Sequence, residues 1–411
     1  MQAENNKTNI ETITFGCRLN SLESEKIQKM LAPVLKSAIL VNTCAVTGEA
    51  ERQCGQSVRK LSRENPDTPM FITGCAATRN PGLFSRLANV FVIDNKDKMD
   101  INSYMRAAGL PEITPAPSDE YESNPKMSKQ FVQIQNGCNH DCTYCITRVL
   151  RGPAVSFEYN DIIKDVRTAV AAGFGEIVLT GVDIASYARL YNGKAFLISD
   201  LCCKILEDVP GVRRLRLSSM DPASPQLRHV IDLIHREPRM MPHIHLSMQS
   251  GCDIILQNMR RRHTANTVRE LVAAAHDITF SWDIICGFPG ETEELFEETL
   301  RLTHQLRPIK IHAFPFSPRP GTVAADMPNQ IPRNISKSRV KIINDAANQN
   351  LHEYMASQIG RRTRVLTEMA NTARTPDDIA VRISGEPIPA RQIVDVVLTG
   401  IDGDTFTAQI A

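Results

Sequence analysis

The sequence predicts an α/β protein in three parts: a parallel sheet at the N-terminus, an open barrel of six strand–helix units in the centre, and a small antiparallel β-barrel at the C-terminus. Three observations carry this. From residue 13 to residue 316, short apolar runs alternate with polar, helix-patterned segments, as in a parallel sheet with crossovers. A stretch rich in proline and acidic residues, Pro111-Glu-Ile-Thr-Pro-Ala-Pro-Ser-Asp-Glu120, interrupts that alternation and reads as a linker. Beyond residue 355 the helical pattern gives way to short strands between turn residues. A chain of 411 residues exceeds one ordinary domain. The expected segments are 1–108, a linker at 109–129, a barrel at 130–354 and a small barrel at 355–411.

The N-terminal segment repeats one unit. Ile13-Thr-Phe-Gly-Cys17, Ala38-Ile-Leu-Val-Asn-Thr-Cys44 and Met70-Phe-Ile-Thr-Gly-Cys75 each read as a strand ending in cysteine, and Val90-Phe-Val-Ile-Asp94 as a further strand. Helix-patterned segments follow at 20–30, 48–65 and 80–88. This gives a Rossmann-like sheet whose strand carboxyl ends share one edge, where ligands gather. Cys17, Cys44 and Cys75 should therefore meet there. Three unrelated core cysteines are the alternative, because free Cys is commonly buried; the repeated strand-end placement favours a three-thiolate site.

In the central segment, strands are expected at 131–135, 176–180, 213–218, 243–248, 280–285 and 310–316. Helices are expected at 161–172, 199–206, 225–235, 266–276 and 291–305, the first capped by Asn160. Six units without a seventh imply a partial (β/α)6 barrel, with chemistry at the carboxyl ends of the strands. Gly181-Val-Asp183, Ser218-Ser-Met220, Gln249-Ser-Gly251 and Gly287-Phe-Pro-Gly-Glu291 would line that mouth. His243 and His245 alternate on one strand as barrel lining. Residues 331–355 read as a helix covering the open side.

Four strands are expected in the tail, at 364–368, 380–383, 393–398 and 405–410. The net charge of +1 carries no global signature of a nucleic-acid binder. Local contact would have to come from Arg213-Arg-Leu-Arg216, Arg260-Arg-Arg-His263 or Arg361-Arg-Thr-Arg364. The tail, with 6 Arg and no Lys against 7 Asp and Glu from residue 356, is not basic. No apolar run approaches the roughly 18 residues of a membrane span. The opening residues have no apolar core, so no signal peptide is expected and the expected location is cytoplasmic.

Of the eleven cysteines, three form one tight group, Cys138-Asn-His-Asp-Cys142-Thr-Tyr-Cys145, directly after the strand at 131–135. Three thiolates in C-x3-C-x2-C can hold three corners of a [4Fe–4S] cluster and leave one iron open, and an open iron can bind and reductively split S-adenosylmethionine. A ferredoxin-type cluster would need a fourth cysteine. A Cys3His zinc site using His140 is the alternative on ligand count. A disulfide framework is not expected, since the thiols should stay reduced. Cys54, Cys202, Cys203, Cys252 and Cys286 read as packing residues.

The chain resembles the radical S-adenosylmethionine enzymes in this group. Over nearly its whole length it resembles their methylthiotransferase branch. The resemblance rests on Thr14-Phe-Gly-Cys-Arg-Leu-Asn20, Asn42-Thr-Cys44, Thr73-Gly-Cys75, Leu179-Thr-Gly-Val182, Leu215-Arg-Leu-Ser-Ser219, His245-Leu-Ser-Met-Gln-Ser-Gly251, Asp283-Ile-Ile-Cys-Gly-Phe-Pro-Gly-Glu291 and Phe316-Ser-Pro-Arg-Pro-Gly-Thr322. The tail is similar to the family's TRAM domain. Gly16-Cys-Arg-Leu-Asn20 with Leu22-Glu-Ser24 most resembles the MtaB-type branch, which acts on N6-threonylcarbamoyladenosine next to the anticodon of tRNA. Two departures stand out. Relatives usually carry a proline near Arg148, and the glycine–glutamate motif that meets the methionyl amine is present only as Gly173-Phe-Gly175-Glu176.

The resemblance implies two [4Fe–4S] clusters, on Cys138, Cys142 and Cys145 and on Cys17, Cys44 and Cys75. It implies S-adenosylmethionine as source of a 5′-deoxyadenosyl radical and of the methyl group, a flavodoxin- or ferredoxin-like reductant, a sulfur donor, tRNA as substrate and a monomeric enzyme. Tyr144, Glu176, Ser218 and Gln249 would contact the cofactor, and Arg151 and Arg319 would hold substrate phosphate or carboxylate. Sister branches treat isopentenyladenosine in tRNA or a ribosomal-protein aspartate. A non-catalytic iron–sulfur electron carrier would explain six thiolates but not a barrel mouth lined by glycine and polar motifs.

Overall fold

The computed structural model describes residues 9–114, 127–191 and 193–411; the linker stretch 115–126 lies outside the described residues. Packing divides the chain into two compact units. One joins the N-terminal residues to segments 137–153 and 317–325. The other holds the remaining barrel residues together with the C-terminal strands. The units thus cut across the segments drawn from the sequence.

In the first unit, β1 (Asn9–Thr14), β2 (Ser37–Thr43), β3 (Met70–Gly74) and β4 (Val90–Val92) form a parallel sheet in that order. The order lacks the reversal of a doubly wound sheet. Successive side chains point to opposite faces. Ala38, Leu40 and Phe71 pack with α1 (Arg18–Leu31) and α4 (Ile101–Ala107), whereas Ile39, Val41, Met70 and Ile72 pack with α2 (Gly48–Glu64) and α3 (Cys75–Arg79). Thr47 caps α2 by accepting from the Ala50 N–H at 3.1 Å, and Glu49 and Glu51 complement its first turn. The helix expected at 80–88 does not form. Pro81 lacks an N–H, and Asn80 before it leaves the helical region (φ −141°, ψ 69°), so α3 stops and a single 3₁₀ turn, Pro81–Leu83, follows. α4, not expected from the sequence, starts at an Asp100 cap. From segment 137–153, α5 (Thr147–Arg151) seats Ile146 and Leu150 in the same apolar cluster as Val41, Cys54 and Phe84.

The second unit carries the six barrel strands. After β5 (Lys129–Gln133), the short β6 (Gln135–Asn136) and β7 (Val155–Ser156) pair antiparallel on either side of the cysteine segment in sequence. Then come α6 (Tyr159–Ala171), β8 (Glu176–Thr180), the hairpin β9 (Ala188–Tyr191) and β10 (Lys194–Leu197), and α7 (Ile198–Asp208). They are followed by β11 (Leu215–Leu217), β12 (Ser219–Met220), α8 (Gln226–Arg236), β13 (His243–Gln249), α9 (Asp253–Asn258) and α10 (Ala265–Ala274). The series ends with β14 (Thr279–Cys286), α11 (Glu293–Leu306), β15 (Lys310–Pro315) and α12 (Arg333–Ser357).

All barrel pairings are parallel, in the orders β5-β8-β11 and β12-β13-β14-β15. The third strand breaks at Ser218, so that β11 pairs with β8 and β12 with β13. Ile244, Leu246, Phe280, Trp282 and Ile284 face the core. Asn160 sits inside α6, whose N-cap is Glu158 without a side-chain bond, so the expected Asn160 cap is corrected. α12 packs on β15 and α11.

The tail closes into a five-stranded barrel: β16 (Arg362–Thr367), β17 (Thr372–Arg374), β18 (Ala380–Ile383), β19 (Ile393–Asp402) and β20 (Thr405–Ile410). One pairing, β18 with β20, is parallel, which corrects the fully antiparallel expectation. Closure brings those two strands together in the same direction because β19 lies outside β20.

Candidate metal centre

Parallel register sets the N-terminal cysteines. Thr14 pairs with Asn42, Asn42 with Thr73, and Thr43 with Gly74, so three strand ends finish level. Cys17 then caps α1, Cys44 follows β2 directly, and Cys75 opens α3. Gly16 (φ +96°) makes the approach possible: a Cβ there would lie 2.8 Å from both Cβ and Sγ of Cys44. Gly74 (φ +92°) plays the same part, for a Cβ would lie 2.5 Å from the Thr43 carbonyl oxygen. Thr43 Oγ1 donates to the Thr73 carbonyl at 2.6 Å and accepts from the Ala77 N–H at 3.0 Å, tying β2, β3 and α3 together. Asn20 Nδ2 donates to the carbonyls of Phe15 (2.8 Å) and Thr43 (3.1 Å).

Cys44 and Cys75 are buried and Cys17 is exposed, so the group opens on one side. Burial pushes the Cys44 thiol up to about 11, with Cys75 and Cys17 adding like-charge repulsion. Burial also raises Cys75, against the pull of the neighbouring Arg151 and Lys98 cations. The three thiols therefore feel one another, and binding a metal there would release protons. Cys54 is more than a bystander: it accepts from the Cys44 N–H at 3.5 Å, directly beneath the group.

Beside these thiols lies a buried charge cluster that the sequence did not reveal. Glu23 accepts from Lys98 Nζ at 2.5 Å and from both Arg151 terminal nitrogens at 2.8 and 3.1 Å. Arg151 also donates to Asn20 Oδ1 at 2.6 Å and hydrogen-bonds the Cys75 thiol. Lys98 donates to Asn95 Oδ1 at 2.7 Å, and Asn95 Nδ2 reaches the Leu150 carbonyl at 2.8 Å. Burial would raise the Glu23 carboxyl, but Lys98 and Arg151 overcome it and the net shift is downward. Two cations share one carboxylate here. That arrangement suits an additional anionic group on the thiols, because an uncompensated buried charge is costly. The only signal in the sequence was the Leu22-Glu-Ser24 phrase following Cys17. Arg151, read from the sequence as a substrate contact, is committed to this cluster.

In segment 137–153, the Cys138 N–H donates to the Gly152 carbonyl at 3.1 Å and the Cys145 N–H to the Cys142 carbonyl at 3.1 Å, which curls the loop. The three thiols are partly exposed, as is Tyr144. The sulfurs of Cys138 and Cys145 accept backbone N–H groups two residues on, from His140 and Thr147, at 3.4 Å. Cys44 does the same with Val46 at 3.5 Å. Hydrogen bonds to thiolate sulfur are among the levers that set iron–sulfur potentials, so these residues fit such a cluster. Arg319, in segment 317–325, is buried against Glu51 and keeps its Nε without a partner.

In the second unit, Ser218 and Gln249 stand at carboxyl ends of barrel strands, as expected. Ser218 Oγ is buried without a hydrogen-bond partner, a donor available to a polar ligand. Gln249 holds φ +68°. A non-glycine residue in that region is an outlier worth a functional reading. Glu176 is elsewhere. It opens β8 at the amino end of the barrel, fully buried, where Arg216 Nε donates to it at 2.6 Å and Lys129 Nζ lies at 3.3 Å. Burial opposes its charge, but Arg216 and Lys129 hold its carboxyl at about 2. A residue opening a strand cannot sit at the mouth, so Glu176 serves this ion cluster rather than a cofactor contact.

Two of the three basic runs are engaged in bonds within the chain, although Arg213, Arg260 and Arg262 remain exposed. Arg213 and Arg214 donate to carbonyls of Arg391 (2.9 Å) and Arg364 (2.7 Å), and Arg261 and Arg262 pair with Asp221 at 3.1 and 2.8 Å. Arg361, Arg362 and Arg364 are exposed. His243 is neutral by environment: burial drives it down to about 3, and Thr279 and Ser281 hold its ring at 2.8 Å.

The radical SAM superfamily matches residues 132–303, and the uncharacterized protein family UPF0004 matches residues 9–93. The threonylcarbamoyladenosine tRNA methylthiotransferase MtaB of Rickettsia prowazekii is 38% identical over 404 residues, covering 95% of both chains. The protein of the same name from Bacillus subtilis is 30% identical over 87% of this chain and 84% of its own. The tRNA-2-methylthio-N(6)-dimethylallyladenosine synthase of Chromobacterium violaceum is 28% identical over 97% and 98%. Among solved structures, the radical S-adenosylmethionine methyltransferase TsrM of Kitasatospora setae aligns with a TM-score of 0.54 at 14% identity, covering 75% of this chain and 69% of that one, a likeness of fold alone. The chain belongs to the radical S-adenosylmethionine methylthiotransferases, in their MtaB branch.

Proposed function

We propose that this enzyme inserts sulfur and a methyl group at C2 of N6-threonylcarbamoyladenosine next to the anticodon of tRNA. The observation that carries the reading is the 38% identity, over 95% of both chains, with a methylthiotransferase named for that nucleoside. Relatives named for the dimethylallyl nucleoside stand at 28% and 29%. Radical SAM enzymes carry a [4Fe–4S] cluster and S-adenosylmethionine. When bound, the cluster supplies the electron that splits S-adenosylmethionine.

Cys138, Cys142 and Cys145 would hold that cluster, the sulfurs of Cys138 and Cys145 steadied by the His140 and Thr147 N–H groups. Tyr144, fixed between two of these cysteines, would present its backbone to the cofactor. Ser218 Oγ and Gln249 would bond its polar groups. Cys17, Cys44 and Cys75 would hold a second cluster, which serves sulfur delivery; the level strand ends and the two-cations-to-one-carboxylate arrangement beside them support this. Arg319 would orient its surroundings through Glu51 rather than grip substrate. A flavodoxin- or ferredoxin-like protein would supply electrons, a separate donor the sulfur, and the enzyme would act as a cytoplasmic monomer. Among the described residues, no helix is long and apolar enough to cross a membrane.

The test is mass analysis of tRNA nucleosides from cells with and without the gene. Loss of 2-methylthio-N6-threonylcarbamoyladenosine, with its unthiolated precursor accumulating, is expected. An unchanged profile would refute the substrate.

A further inference from the structure

Glu23, Lys98 and Arg151 come from three distant parts of the sequence yet form one buried cluster, with side chains only 3–4% exposed. Lys98 is shared between Glu23 and Asn95, and Arg151 between Glu23, Asn20 and the Cys75 sulfur. Arg151 ends the short helix that begins two residues after Cys145, and Glu23 lies on the helix that Cys17 caps. The formal sum of the three charges is one positive. A [4Fe–4S] core held by three thiolates is anionic overall, and an adjacent fixed cation favours the more negative, reduced state. The effect is large where water is excluded.

We propose that Arg151 and Lys98 are positioning residues for the Cys17/Cys44/Cys75 site: together with Glu23 they form a fixed charge set that tunes the reduction potential of the cluster bound there and secures its thiolate ligands. This rests on the second-cluster reading given under Proposed function. Arg151 acts through the Cys75 sulfur, and its place at the end of α5 makes the charge set depend on the same segment that carries Cys138, Cys142 and Cys145. The sign of the effect follows from the charge count alone. Removing a cation must make reduction harder, and removing the carboxylate must make it easier.

The test uses the full chain with Cys138, Cys142 and Cys145 changed to alanine, so that iron and sulfide, added anaerobically, can load only the N-terminal site. Iron content and an electron paramagnetic resonance redox titration are the readouts. At the potential that half-reduces the parent, K98M should lower the reduced-to-oxidised ratio about tenfold, equivalent to about 59 mV for one electron. E23Q should raise it by a similar factor. R151K should stay near the parent, whereas R151M should lower both the ratio and the iron retained. Opposite signs for K98M and E23Q exclude a merely structural role, since a packing fault has no reason to reverse direction; if one of them does not fold, the other must move in its stated direction while R151K, which keeps the charge, stays near the parent and R151M does not. A parent that loads no cluster overturns the second-cluster reading and this inference with it. A loaded parent whose ratio is unmoved in K98M and E23Q, or moved in one direction by both, leaves that reading standing and overturns the inference.

Discussion

Cys138, Cys142 and Cys145 share one curled loop, whereas Cys17, Cys44 and Cys75 arrive on the ends of three neighbouring strands. The loop is curled by local backbone hydrogen bonds, from Cys138 to Gly152 and from Cys145 to Cys142. The dispersed group needs parallel register, two glycines without room for a Cβ, and a threonine that ties one strand to the next. The two also differ in electrostatic surroundings. The loop thiols are partly exposed, while two of the dispersed thiols are buried beside paired cations. A local motif tolerates distant change; a group built from topology is vulnerable anywhere its strands are held.

This contrast can be broken by substitution, and the largest effects are on activity. C142A should abolish reductive cleavage of S-adenosylmethionine. C44A should abolish the methylthio product while cleavage persists, as chromatography of 5′-deoxyadenosine and of tRNA nucleosides would reveal. Equal loss of cleavage in both would mean that the two groups are not functionally separate. Next in size is E176Q, a control in the other unit. It would leave the buried Arg216 without its carboxylate and Lys129 with Asp378 alone, at a cost of about 3–5 kcal/mol by denaturant unfolding, and should leave the iron content of the chain unchanged.

G16A follows. The intruding Cβ at positive φ should cost roughly 1–3 kcal/mol and, on the two-cluster reading proposed above, cut iron from about eight to about four atoms per chain. Iron that stays at the parental level would show that the dispersed group does not depend on this close approach. T43V should cost a comparable amount of stability, about 1–3 kcal/mol for the lost bonds to Thr73 and Ala77, with a smaller effect on iron content.

The pH dependence sharpens the same division. The Glu176 carboxyl is held near 2 when folded, against an ordinary value near 4.5. Its contribution to stability is therefore complete above about pH 4.5 and is lost progressively as pH falls toward 2. Glu23 is shifted in the same direction, so its contribution also fades with acid. E176Q should flatten the acid side of the unfolding profile measured by circular dichroism, and a profile identical to the parent's would refute the depressed value.

Much of this architecture was legible in the sequence because its signals are local. The six barrel strands showed as apolar runs between helix-patterned stretches, and 176–180, 380–383 and 405–410 coincide with observed strands. The C-x3-C-x2-C loop is a contiguous word. Even the dispersed cysteines could be read, because each follows a strand. What escaped was partner identity. Glu23 lies 75 residues from Lys98 and 128 from Arg151, and nothing in the sequence pairs them. The same blindness made Arg151 look free for substrate and Glu176 look like a cofactor contact. A charged residue at a strand terminus gives no sign of which end of a barrel it will occupy until the strand's first residue is known. Asn160 failed as a cap for a similar reason: the helix begins before it.

The C-terminal barrel invites description as a detachable appendage, but its connections argue otherwise. Arg214, just before β11, and Arg216 on it donate to the carbonyls of Arg364, Arg374 and Pro376; Ser128 donates to Thr367; and Arg391 returns the favour to Met127 and Ala172. Lys129 reaches Asp378 as well as Glu176. The tail is thus the floor of the central barrel, and the arginines buried in that floor are meaningful only while it is there. Exchange of tails between related enzymes, by recombination or by an engineer, would have to carry β8 and β11 along, so the unit of inheritance is larger than the module that a boundary at residue 355 suggests.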